Sequence, residues 1–175
     1  MKNNHRVADI VDLCEQHWRE SDSAAHRYIL HLHRLSNVEA MLAEPVMAQF
    51  GLSMTEFDVL ATLRRSASPY VLSPTDLQRS TLLSSGGQTK VLYQLEDRGL
   101  VRRSVDHQDK RSKLVHLSRK GRTLIEKAMA AVLDCISGGM ERAGMSVQEI
   151  EQLTGLMGKL LAALETTSTV EDSDV

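Results

Sequence analysis

Nine basic side chains fall between Arg98 and Arg122 (Arg98, Arg102, Arg103, Lys110, Arg111, Lys113, Arg119, Lys120 and Arg122), against two acids, Asp106 and Asp109. The other residues of the 175-residue chain include twelve basic and twenty-one acidic ones, so a formal charge of -2 conceals a positive segment in an acidic protein. Cations concentrated in this way neutralise a polyanion, while the acidic remainder discourages indiscriminate association. For any one of them, a solvated surface charge is the plainer reading. Just upstream stand Ser84, Ser85, Gly86, Thr89 and Lys90: short hydrogen-bonding groups, a residue without a side chain, and a cation. At about 100° per residue, Val91, Leu92 and Leu95 share one side of a helix there, and Gly86, Thr89, Lys90 and Tyr93 share the other. The second side suits base edges, and the helix amides near Ser84 and Ser85 suit a phosphate.

Other chemistry is poorly served. The chain has no phosphate-binding loop of the Walker type, no G-x-S-x-G, no H-E-x-x-H and no C-x-x-C, and its Ser-Ser-Gly-Gly run follows a helix rather than a strand, so an enzyme is not expected. His26 and His33, with Glu39 nearby, suggest a metal-responsive variant, although solvated helix histidines are the simpler account and no metal or cofactor is expected. Cys14 and Cys135 are too few for a disulfide framework and leave a thiol-responsive alternative open.

These residues need a scaffold. With 42% hydrophobic, 25% charged and 3% aromatic residues, the composition is that of a mainly helical globular chain. No apolar run is long enough to span a membrane, and the N-terminus lacks a signal core, so no membrane partner is expected and the cytoplasm is the expected compartment. A short amphipathic stretch bearing Trp18 precedes a long helix from Ser23 towards Phe50, which Pro45 either breaks or bends. Ser53 and Glu56 form a capping box for a helix to about Arg65, apolar around most of its girth, with Asp58 its odd polar member. After a loop over Ser66–Val71, Ser73 and Pro74 start a short helix, and the helix carrying Thr89 and Lys90 follows, stopped at Gly99. Leu100–Val105 and Lys113–Leu117 read as a hairpin around a polar tip. Ser118 caps one more long helix, and Ser146 with Glu149 caps the last. The expected fold is mainly α with a small β wing: N-terminal helices over 1–52, a winged helix-turn-helix lobe over 53–117, C-terminal helices over 118–165 and a disordered tail over 166–175.

In this order and spacing, LSPTDLQRSTLLSSGGQTK, LEDRGLVRR and DHQDKRSKLVHLSRKG resemble the MarR family of bacterial transcription regulators, and the resemblance covers nearly the whole chain. The run EFDVLATLRR followed by SPYVLSPTDL is closest in pattern to the family's PecS and urate-responsive branch. The resemblance implies a homodimer, joined by its terminal helices, that binds double-stranded DNA at a pseudo-palindrome, usually as a repressor. Ser84, Ser85, Gly86, Thr89 and Lys90 are then expected at the major groove, with Arg103, Lys110 and Lys113 on the backbone. Arg111 is expected in the minor groove, oriented by Asp109 rather than by DNA, because a carboxylate there would be repelled. The resemblance also implies an effector site for a small aromatic or phenolic anion, matched here by Trp18, Asp58 and Arg103. Val91 stands where that branch carries a recognition-helix arginine, which counts against urate itself. The reading of a different class is a winged helix that binds protein rather than DNA.

Overall fold

The computed structural model describes residues 6–81, 88–105 and 113–171. Helix α1 (Val7–His17) ends where Trp18 turns out of the helical region, its amide still bonded to the Cys14 carbonyl. A single 3-10 turn leads to α2 (Ala24–Gln49), capped by Ser23 Oγ accepting from the His26 amide at 3.2 Å. Of the two possibilities at Pro45, the structure takes the continuous one, with Pro45 inside α2. The proline forfeits one backbone bond, but the turn around it carries Ala43 and Met47 into the core, and that burial offsets the loss. Gly51, at φ +65°, then reverses the chain.

Helix α3 (Met54–Arg65) has the expected capping box: the Ser53 amide donates to Glu56 Oε2 at 2.8 Å, and Ser53 Oγ accepts from the Glu56 amide. Val59, Leu60, Ala61, Thr62 and Leu63 are all buried, which makes α3 the central element of the lobe. The segment after it is not wholly a loop. Val71–Leu72 forms a strand, β1, antiparallel to a later one, with Val71 opposite His116 and Leu72 opposite Val115. Two residues are too few to show the alternation by which a strand is recognised, so only the partner reveals it.

Ser73 and Pro74 start α4 (Pro74–Ser80), and α5 (Gln88–Asp97) follows. At the end of α5 the Gly99 amide bonds the Glu96 carbonyl and the Leu100 amide the Leu95 carbonyl, with Gly99 at φ +68°. Strands β2 (Val101–Val105) and β3 (Lys113–Leu117) pair antiparallel with Arg103 opposite Val115, and the sheet order is β1-β3-β2. Leu92, Leu95, Leu100, Val115 and Ile125 close the core against Leu60, Leu63 and Leu77.

Helix α6 (Arg119–Arg142) begins under Ser118, whose Oγ accepts from the Gly121 amide at 2.9 Å and donates to the Gly99 carbonyl at 2.8 Å. Ser118→Ala removes a helix cap and a tie to the α5 turn together. It should lower stability by about 1–2 kcal/mol in urea titrations followed by circular dichroism. The chain divides into one compact unit through Cys135 and a second from Ile136. In the second, Ser146 and Glu149 form the expected capping box for α7 (Val147–Glu171). The helix passes the expected boundary near residue 165, so 166–171 are helical rather than a disordered tail. Thr166 Oγ1 bonds the Ala162 carbonyl at 2.8 Å, and extending an existing helix costs far less than starting one.

Candidate nucleic-acid interface

Helices α4 and α5 make the helix-turn-helix, and the hairpin of β2 and β3 stands beside it. On α5, Leu92 and Leu95 are buried while Thr89, Lys90 and Tyr93 are exposed on the opposite side, which is the division that helical periodicity predicts. Lys113 is exposed at the start of β3, opposite Val105. Ser84, Ser85 and Gly86, expected at the head of the helix, and Asp109, Lys110 and Arg111, expected at the hairpin tip, lie outside the described residues.

The C-terminal turn of α5 is fixed from several sides. Arg98 Nη1 meets Glu56 Oε1 at 2.8 Å, which joins this turn to the capping box of α3. Lys120 Nζ donates to the Arg98 carbonyl at 2.8 Å, and Ser118 holds Gly99. From the hairpin, the Arg103 amide donates to Glu96 Oε1 at 3.0 Å and Arg103 Nε to Glu96 Oε2 at 2.6 Å, while the guanidinium lies 3.9 Å from the centre of the Tyr93 ring. Its hydrogen bond to Arg103 holds the Glu96 carboxyl below its ordinary range despite partial burial, and Glu96 in turn raises Arg103. Burial, and then the charge of Arg102, lower His116 on β3.

The head of the motif is tied differently. Arg65, at the end of α3, donates through Nη2 to the Ser80 carbonyl at 2.6 Å and to Thr62 Oγ1 at 2.7 Å, and the same nitrogen lies 4.0 Å from Asp58 Oδ1. Asp58 is therefore a buried carboxylate whose arginine neighbour caps the last turn of α4. Asp58 and Arg65 are two helical turns apart and share a face, a spacing that sequence alone could have flagged. Sequence reasoning missed Glu96. It precedes Arg103 by seven residues, but a helix end, a glycine turn and a strand intervene, so no single period relates them.

Residues 52–113, from the start of α3 to the hairpin, match the MarR family model. Over 127 residues the chain is 30% identical to the HTH-type transcriptional regulator PecS of Dickeya dadantii (strain 3937), covering 71% of this chain and 76% of that protein. The chain belongs to the MarR family. A probable transcriptional regulator from Pseudomonas aeruginosa, solved by crystallography, is 30% identical with a TM-score of 0.62, over 74% of this chain and 92% of that one. Bordetella bronchiseptica BpsR, whose DNA binding is regulated by 6-hydroxynicotinic acid, shares the fold at 23% identity and a TM-score of 0.66, over 80% and 94% of the two chains.

As a MarR-family protein it is a DNA-binding transcriptional regulator, not an enzyme. The three residues expected at an effector site occupy three different settings. Trp18 is 63% exposed at the end of α1, Asp58 is buried beside Arg65, and Arg103 is held by Glu96 and Tyr93. His26 uses Nδ1 on the Ser21 carbonyl at 2.9 Å, and among the described residues no three His, Cys, Asp or Glu side chains gather as a metal would require. Cys14 and Cys135 are free thiols. No helix among the described residues is long and apolar enough to cross a membrane.

Proposed function

We propose that this regulator acts as a homodimer on a pseudo-palindromic operator, with α5 of each protomer in the major groove and half-sites about one helical turn apart. The observation that carries the reading is the two-sided character of α5: Leu92 and Leu95 are locked into the lobe, its last turn is pinned, and Thr89, Lys90 and Tyr93 are left open. Thr89 and Lys90 offer hydrogen bonds to bases or phosphates, and Lys113 offers its charge to the backbone. The same contact is proposed to take in Ser84, Ser85 and Gly86, and also Lys110 and Arg111, with Asp109 orienting Arg111. The dimer is supported by apolar side chains left exposed on α2 and α7, among them Tyr28, Leu35 and Met41 on the first and Leu153, Leu156 and Leu161 on the second. Bound across an operator, such a dimer blocks access to the DNA beneath it, so repression is the proposed outcome.

Release by a small aromatic or phenolic anion completes the proposal. Arg65 lies between Asp58 and the Ser80 carbonyl, and an anion drawn to that arginine would compete for the bond that finishes α4. The relative BpsR is regulated by an aromatic acid. Selection of bound sequences from random duplexes should return two inverted elements about one turn apart, bound with an affinity that falls steeply and log-linearly with salt. A single unrepeated element would overturn the dimer reading. Titrating the selected complex with 6-hydroxynicotinate, simple phenolates and urate should release DNA with at least one aromatic anion. Unchanged binding across all of them would remove that part.

A further inference from the structure

We propose that Glu96 is a positioning residue for DNA binding: it locks Arg103 of β2 onto α5, so that Arg103 sets the geometry between recognition helix and hairpin instead of contacting a phosphate. The inference rests on the DNA-binding reading of the lobe and assigns Arg103 a different role from the backbone contact expected from sequence.

Three observations carry it. First, the backbone amide, Nε and Nη2 of Arg103 are already engaged. Its amide and Nε take the two oxygens of one carboxylate, Nη2 is ion-paired with the same group, and one face of the guanidinium is covered by the Tyr93 ring. Its side chain is only 18% exposed. A phosphate could claim the guanidinium only by dismantling an arrangement in which Nε and Nη2 both bear on Glu96 Oε2 while the Arg103 amide holds Oε1. Second, the carboxylate is misplaced for any direct role. A negative charge on the helix that meets a polyanion opposes binding, so Glu96 needs another purpose, and holding Arg103 supplies one. Third, the lock is in the right place. Tyr93 lies one turn beyond Thr89 and Lys90 on the same exposed side, so the stacked guanidinium bears on the face that meets DNA. At the next turn Arg98 ties α5 to Glu56 of α3. Helix and hairpin therefore move as one piece, and a shift of β2 is passed directly to α5.

The sign of a single substitution separates this from simple electrostatics. With the full-length protein and a fluorescent duplex selected by the wild type, Glu96→Gln should weaken binding roughly tenfold, the equivalent of one lost charge-assisted hydrogen bond. Removing a carboxylate near DNA would otherwise tighten it. Arg103→Met should lose a similar factor while leaving the slope of log affinity against log salt unchanged, because no phosphate contact is lost. A true phosphate contact would lower that slope by about 1. The double variant should be no weaker than either single one, and Glu96→Asp should recover part of the loss. The loss should be confined to the selected duplex, with binding to random duplex preserved. Arg103→Lys, which keeps the charge but not the fork, gives the same test if Glu96→Gln melts below the assay temperature. Tighter or unchanged binding by Glu96→Gln, or a reduced salt slope for Arg103→Met, would overturn the proposal. Failure of the wild type to bind any duplex would instead overturn the functional reading beneath it.

Discussion

Gly121→Ala is expected to destabilise the winged lobe by about 3 kcal/mol or more, with a fall in melting temperature on the order of 10 °C. Helix propensity alone predicts the opposite, since alanine in place of a helical glycine ordinarily gains about 1 kcal/mol. Packing decides the sign. A Cβ built on Gly121 would stand 2.1 Å from the Leu100 carbonyl oxygen and 3.0 Å from both the Leu100 carbonyl carbon and Leu117 Cδ1. The nearest obstacle is backbone, so no rotamer change relieves it. Nor can that backbone easily yield: the Leu100 carbonyl accepts from the Ser118 amide at 3.0 Å, and Leu100 itself is buried at the head of β2. Either α6 must lift from the sheet or the hairpin must shift away from α5, and each breaks contacts in the core. Denaturant titration followed by circular dichroism measures the loss. Gly155→Ala on α7 is the control, because a Cβ there meets nothing within 4 Å and propensity should give a small gain. A gain at Gly121 as well would show that the close approach to Leu100 is not maintained in solution.

The same local logic explains what was legible in the sequence. Ser53 with Glu56, Ser146 with Glu149, Pro74 after Ser73, and Gly99 all act within one turn of where they stand, so residue type and spacing carried the helix boundaries they set. The inward and outward sides of α5 were legible for a related reason, since one period governs ten consecutive residues. The features that escaped depend on distant partners. Pro45 could be read as a break until the burial of Met47 showed what the continued helix gains. β1 exists because β3 pairs with it, and Glu96 acquires its role only when β2 folds back against the end of α5. Asp58 was an odd polar residue on an apolar helix; its place beside Arg65 lies within α3 and follows from their spacing, but its burial and the reach of Arg65 to Ser80 are tertiary facts.

The proposed dimer predicts the second large effect. Leu153, Met157, Leu160 and Leu164 recur on α7 at steps of four, three and four, each between 36% and 56% exposed. That spacing is the seam of two helices packed side by side, and burying such side chains is worth about 2 kcal/mol each. Leu160→Asp places a carboxylate in the middle of the seam, where burial without a partner costs several kcal/mol, and should convert the protein to a monomer in sedimentation equilibrium at micromolar concentration. Each monomer keeps its own lobe intact, because Leu160 lies in the second compact unit and the winged motif in the first. Affinity for a duplex carrying one half-site should therefore be unchanged. For a duplex with two half-sites it should fall by roughly 100-fold or more, since the second lobe no longer arrives tethered to the first. The contrast between the two duplexes excludes general unfolding, which would weaken both equally. A variant that stays dimeric and keeps its two-site affinity would remove α7 from the interface and leave the exposed apolar side of α2, around Leu35 and Met41, to hold the dimer together.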